Sequence, residues 1–183
     1  MMKKVNYSEY DGKYDESIKE RLEKNPESVD VETMRANLYG YTFTKEYTKG
    51  EIPDELSMDY WEEYHLENEL LDDSGHVDVM AIINDAEVSS KDGTEKIYRH
   101  VSPQEKLILR TIESTGDGES PETAFCVINI HQEYEYIDRV WRYCCMRLVK
   151  QSIKDGIDCL ELKDYDGHIE KVYFDISRSF EMG

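Results

Sequence analysis

The sequence predicts an α+β fold, with N-terminal helices packed on a small, mainly antiparallel C-terminal sheet of about four strands. Three observations carry this. From Tyr14 to about Glu113, apolar residues recur three and four apart, the period of a half-buried helix. Beyond Gly118 the pattern turns to alternation and short apolar runs. The last three runs are joined by connections so short that they favour antiparallel neighbours. The 183 residues fit one domain, spanning 1–183, with a mainly helical part over 1–115 and a mainly β part over 116–183.

Each element has its own justification. In YDESIKERLEKNP, Ile18 and Leu22 share a helix face and Asn25-Pro26 stops the helix. Asp30 caps a second helix with Met34 and Leu38 on its inner face, and Gly40 is expected to end it. Ser57 caps a third, whose stripe is Met58, Trp61, Tyr64 and Leu71. GHVDVMAIINDAEV is apolar on most sides and reads as buried, and SSKDGTEK reads as a loop. Ser102-Pro103-Gln104-Glu105 is a complete helix start: a capping serine, proline at the first position and glutamate three residues after the cap. Leu107, Ile108 and Ile112 follow on the core side.

In the second half, TAFCVINI has two apolar faces, so Ala124 to Ile130 is expected to be a strand in the interior of a covered sheet. EYEYIDRVWRY can form a short helix. CCMRLVKQSI, IDCLELKD and EKVYFDIS read as three more strands, the first two joined at Asp155-Gly156.

Several of these segments resemble, in order, a known family. LYGYTF, GDGESPETAFCVINIHQEYEYI, KQSIKDGIDCLEL and KVYFDISRSF are similar to an uncharacterised domain-of-unknown-function family of gut bacteria. The likeness covers roughly residues 34–47 and 108–180 and is weak over 60–100. It implies the α+β architecture and supplies no activity. Two departures stand out: many relatives look exported whereas no leader is evident here, and Thr115 stands where relatives carry serine before Gly-Asp-Gly.

The net charge of −19 excludes several functions. Nucleic acid and anionic membranes are repelled, since phosphate contacts need clusters of Lys and Arg. A basic protein partner is attracted, and solubility alone is the plainer explanation of the acid. No run approaches the roughly 20 apolar residues of a membrane helix, and MMKKVNYSEYDGKY contains no secretory apolar segment, so a cytoplasmic location is expected. Cys126, Cys144, Cys145 and Cys159 form no C-x-x-C pair and read as reduced, structural thiols.

The stretch Thr115-Gly-Asp-Gly reads as a turn. No lysine follows for phosphate, and the twelfth EF-hand position would fall on Ala124 or, counted from Gly167, on Tyr173. The five histidines form no H-x-x-x-H pair, and Glu62, His65 and Glu69 on one helix face read as solvated, so neither metal nor cofactor is expected. On a strand, His131 and Glu133 would share a face and offer a general base for a small hydrolase or transferase. Tyr39, Tyr41, Tyr47, Tyr134 and Tyr136 are the candidate binding residues, as tyrosine buries area while keeping a polar tip. The leading expectation is a non-enzymatic module that binds a basic protein, an immunity or inhibitor protein being one version.

Overall fold

The computed structural model describes residues 5–47, 50–68, 88–91, 94–97, 101–141 and 146–180. Within them are six helices, α1 (Ile18–Lys24), α2 (Val31–Tyr41), α3 (Met58–Asn68), α4 (Pro103–Glu113), α5 (Ile130–Trp141) and α6 (Ser177–Phe180). The strands are β1 (Val88–Lys91), β2 (Thr94–Ile97), β3 (Phe125–Cys126), β4 (Arg147–Lys154), β5 (Ile157–Lys163) and β6 (Ile169–Asp175). The architecture is α+β, with a four-stranded mixed sheet of order β3-β6-β5-β4. β3 runs parallel to β6, and the β6-β5 and β5-β4 pairs are antiparallel.

The helical caps follow the sequence. Asp30 accepts from the Thr33 N–H at 2.7 Å. Ser102 and Glu105 complete a reciprocal box, the serine hydroxyl accepting from the Glu105 N–H and the glutamate from the Ser102 N–H at 2.7 Å. Gly40 lies inside α2 rather than ending it. A Cβ there would stand 2.7 Å from the Tyr14 nitrogen, so glycine is required for the chain at Tyr10–Tyr14 to cross the helix.

The largest departure concerns Ala124 to Ile130. This segment is buried, but only Phe125 and Cys126 pair, and they do so at the sheet's edge. Asn129 ends the extended run by capping α5: its side chain accepts from the Gln132 N–H at 2.9 Å, while Gln132 Oε1 accepts from the Ile128 N–H at 3.1 Å. The screening of the segment comes from helices, not from a second sheet neighbour. SSKDGTEK likewise departs from the loop expected, since β1 and β2 pair antiparallel across it. Most of GHVDVMAIINDAEV, with Leu71, Glu69, His76, His100, Cys144 and Cys145, lies outside the described residues.

The core forms between one sheet face and the helices. Leu160 and Leu162 of β5 and Val172 and Phe174 of β6 point into it. Phe125, Tyr136 and Phe174 pack ring against ring with centroids 4.9 to 5.8 Å apart. Ile18, Leu22, Met34, Leu38, Trp61, Ile108 and Ile112 fill the helical side. The bend after α4 is closed by its own backbone: Asp117 and Gly118 N–H groups both donate to the Thr123 carbonyl, and the Tyr173 N–H donates to the Gly118 carbonyl. The bend therefore docks onto β6 as a turn.

Candidate functional site

Helix α5 organises the chemistry of the second half. At about 100° per residue, positions 131 and 133 lie about 200° apart around it. Had this stretch been a strand, His131 and Glu133 would have stood together; on the helix they face opposite sides. His131 is largely exposed and faces α3, while Glu133 is fully buried against the sheet. The base-and-orienter pair expected from strand parity is not assembled.

Glu133 meets Asp158 of β5, which is also fully buried. Both Glu133 oxygens and Asp158 Oδ1 lack a hydrogen-bond partner, while Asp158 Oδ2 accepts from Gln151. Burial, and then the neighbouring Asp158 charge, push the Glu133 carboxyl up to about 8. At neutral pH this residue is a held proton, enclosed where no substrate reaches it.

Facing α3, His131 Nε2 lies 3.3 Å from Asp59 Oδ2 and 3.7 Å from Glu135 Oε1. Glu135 is buried and caps the start of α3, accepting from Ser57 Oγ at 2.8 Å and from the Asp59 N–H at 3.1 Å. Burial raises its carboxyl above the ordinary range, opposed by these donors. Beside it, Arg139 is 5% exposed and reaches Asp59, Glu62 and Glu105 at 2.8, 2.9 and 3.2 Å. One guanidinium thus joins α3, α4 and α5. Glu62 is drawn into this network and His65 is buried, so they do not form the solvated face expected.

The tyrosines also depart from expectation. Tyr39, Tyr41, Tyr47 and Tyr136 are buried, so they cannot form a recognition surface. Tyr39 Oη donates to the Cys126 carbonyl at 3.0 Å, Tyr47 Oη to the Ile128 carbonyl, and Tyr41 Oη to the Glu51 carbonyl at 2.8 Å. Their polar tips are consumed in holding loops and the edge segment to the helices. Tyr134 alone of the five is exposed, and its hydroxyl donates to Gln151 Oε1 of β4 at 3.0 Å.

That contact leads to the most open surface of the fold. All eight residues of β4 are exposed. Leu148, Gln151 and Ile153 stand opposite Leu162, Leu160 and Asp158, on the core side of the sheet, yet the helical layer does not cover them. With Tyr134 and Ile130 on α5, Leu148, Val149 and Ile153 make an apolar ledge at the sheet edge. Among the described residues, β4 pairs with β5 alone. No sequence signal marked this edge, because an alternating strand looks the same whether or not a layer covers it.

A cleft of about 510 Å³ opens by α6, lined by Tyr7, Phe43, Asp155, Asp175, Ser177 and Arg178 among others. Two of its polar groups are engaged inward, while the buried Tyr7 hydroxyl has no hydrogen-bond partner among the described residues: Ser177 Oγ donates to Asp175 at 2.5 Å, and Arg178 donates to Thr42 while stacking on Phe43. Among the described residues its lining offers no histidine, cysteine or lysine to activate a nucleophile. No helix among the described residues is long and apolar enough to cross a membrane.

The family described as Domain of unknown function (DUF4919) matches residues 3–182. Neither a curated protein nor a solved structure is similar to the chain.

Proposed function

The chain belongs to the DUF4919 family, and from that premise we propose that it is a non-enzymatic protein-binding module, engaging along β4 an extended segment of a partner whose remaining surface is basic. The observation that supports this reading is the edge strand itself, with eight exposed residues and a ledge of Leu148, Val149 and Ile153 alongside. An added strand would satisfy the free edge through its backbone and seat alternate side chains on the ledge. β4 carries Arg147, Lys150 and Lys154 and no acid, so a symmetric β4–β4 pairing would set Arg147 against Lys154, and the segment that docks there is itself apolar or uncharged rather than basic. The charge of −19 repels a second copy too, and steers a basic protein inward. An immunity or inhibitor protein for a basic enzyme is the version that the charge favours. A cytoplasmic setting fits the free thiols at Cys126 and Cys159.

The test uses basic proteins encoded beside the gene, assayed against wild type and a Val149→Glu/Ile153→Glu variant. Wild type should bind with an affinity that weakens as salt rises, and β4 amides should gain exchange protection in the complex. The variant should melt as wild type does, since both positions are exposed, and lose the partner. Equal binding by the variant would overturn this docking mode.

A further inference from the structure

We propose that Asp59, His131 and Glu135 form a binding site for one divalent transition-metal ion of the zinc class, clamped between the start of α3 and the exposed face of α5. This inference is independent of the partner docking on β4.

The first support is spacing. One donor atom from each of the three residues lies within 4.8 Å of the others. His131 Nε2 stands 3.3 Å from Asp59 Oδ2 and 3.7 Å from Glu135 Oε1. Charge-assisted N–H···O bonds run about 2.7–2.9 Å, so both separations are too long for a strong ion pair. A tetrahedral ion with donor atoms about 2.1 Å away sets those donors about 3.4 Å apart, close to the two separations from Nε2. His131 and Glu135 lie four residues apart on α5, so the helix presents both donors on one side.

The second support is a buried oxygen. Glu135 keeps 1% of its side chain exposed; its Oε1, the oxygen measured to His131, already accepts from Ser57 and Asp59, while Oε2 of the same carboxylate has no hydrogen-bond partner among the described residues. A buried carboxylate oxygen left bare costs free energy that a cation would recover.

The third is charge. Arg139 serves Asp59, Glu62, Glu105 and Asp138, and Glu135 lies beside them. That guanidinium is shared, and a dication would add positive charge beside Asp59 and the buried Glu135. Arg139 sits on Asp59 Oδ1 at 2.8 Å, so Oδ2 is the oxygen turned to His131. One imidazole and two carboxylates suit zinc and its neighbours better than calcium or magnesium, which take oxygen donors throughout. The exposure of His131 and Asp59 leaves room for water at a fourth position.

Cobalt(II) is the probe, titrated into the full chain and followed by its visible absorption and by calorimetry, with zinc as competitor. The expected result is one ion per chain, an intense band of a four- or five-coordinate site, and displacement by zinc. His131→Ala should weaken binding by at least about tenfold, since even an outer-shell partner of a metal is worth that much. Glu135→Gln should weaken it likewise. His131 is 61% exposed, so its alanine variant should fold as wild type. His168→Ala, in the exposed turn where His168 Nδ1 already meets Asp164 at 3.1 Å, should change nothing. A faint octahedral spectrum, or equal affinity in wild type and His131→Ala, means adventitious binding to surface acid and overturns the proposal.

Discussion

Glu133 holds a carboxyl group inside the protein with neither oxygen hydrogen-bonded, against a second buried acid at Asp158. Burial and the Asp158 charge raise it from 4.5 to about 8. In the unfolded chain the group ionises near 4.5, so between these values the folded state holds a proton that the unfolded state has released. Stability contributed at this residue is therefore intact at low pH, falls as pH rises from about 4.5 to about 8, and levels off above. Urea melts across that window should show the decline, at up to about 1.4 kcal/mol per pH unit, and Glu133→Gln should flatten it. An unchanged slope in the variant would assign the decline to other groups. Nothing in the residues marks this state, because an acid in HQEYEYI reads as exposed until a helix turns it onto the sheet.

The turns show how backbone and packing demands combine within an element. Gly118 has φ of +70°, and a Cβ there would lie 2.3 Å from the Phe125 ring. Gly12 has a similar φ of +71° with open space around it. Gly12→Ala should cost about 1 kcal/mol, the backbone penalty alone, and Gly118→Ala clearly more by thermal or urea melts. Equal costs would mean that the ring moves aside freely. Elements with local chemistry were legible: the Ser102–Glu105 box, the Asp30 cap, and Asp155-Gly156, whose φ values of 52° and 78° suit the tight hairpin. Where length had to decide between periods, reading failed. In AFCVINI a run of apolar residues is too short to separate a strand from an extended lead into a helix, and Asn129 was the overlooked cap. Asp92-Gly93 between β1 and β2 was an overlooked hairpin signal of the same kind as Asp155-Gly156.

At the scale of the whole molecule, α+β class and a single matched family were readable from period and motif order, whereas the sites depended on which surfaces the helices leave uncovered. The helical and β parts share hydrogen bonds and one hydrophobic core. Phe125 and Cys126 pair with Phe174 and Asp175, and the same short segment accepts hydroxyls from Tyr39 and Tyr47. Residues 116–183 expressed alone should therefore give no cooperative melt, and a sharp two-state transition in that fragment would contradict this coupling. A chain emerging from the ribosome makes Tyr39 and Tyr47 early, the carbonyls they seek much later, and the strand that pins those carbonyls last. The helices must wait, incompletely buttressed, until β6 has emerged. Closure of this fold thus waits on β6, and a chaperone would find its clients among chains that have not yet made that strand.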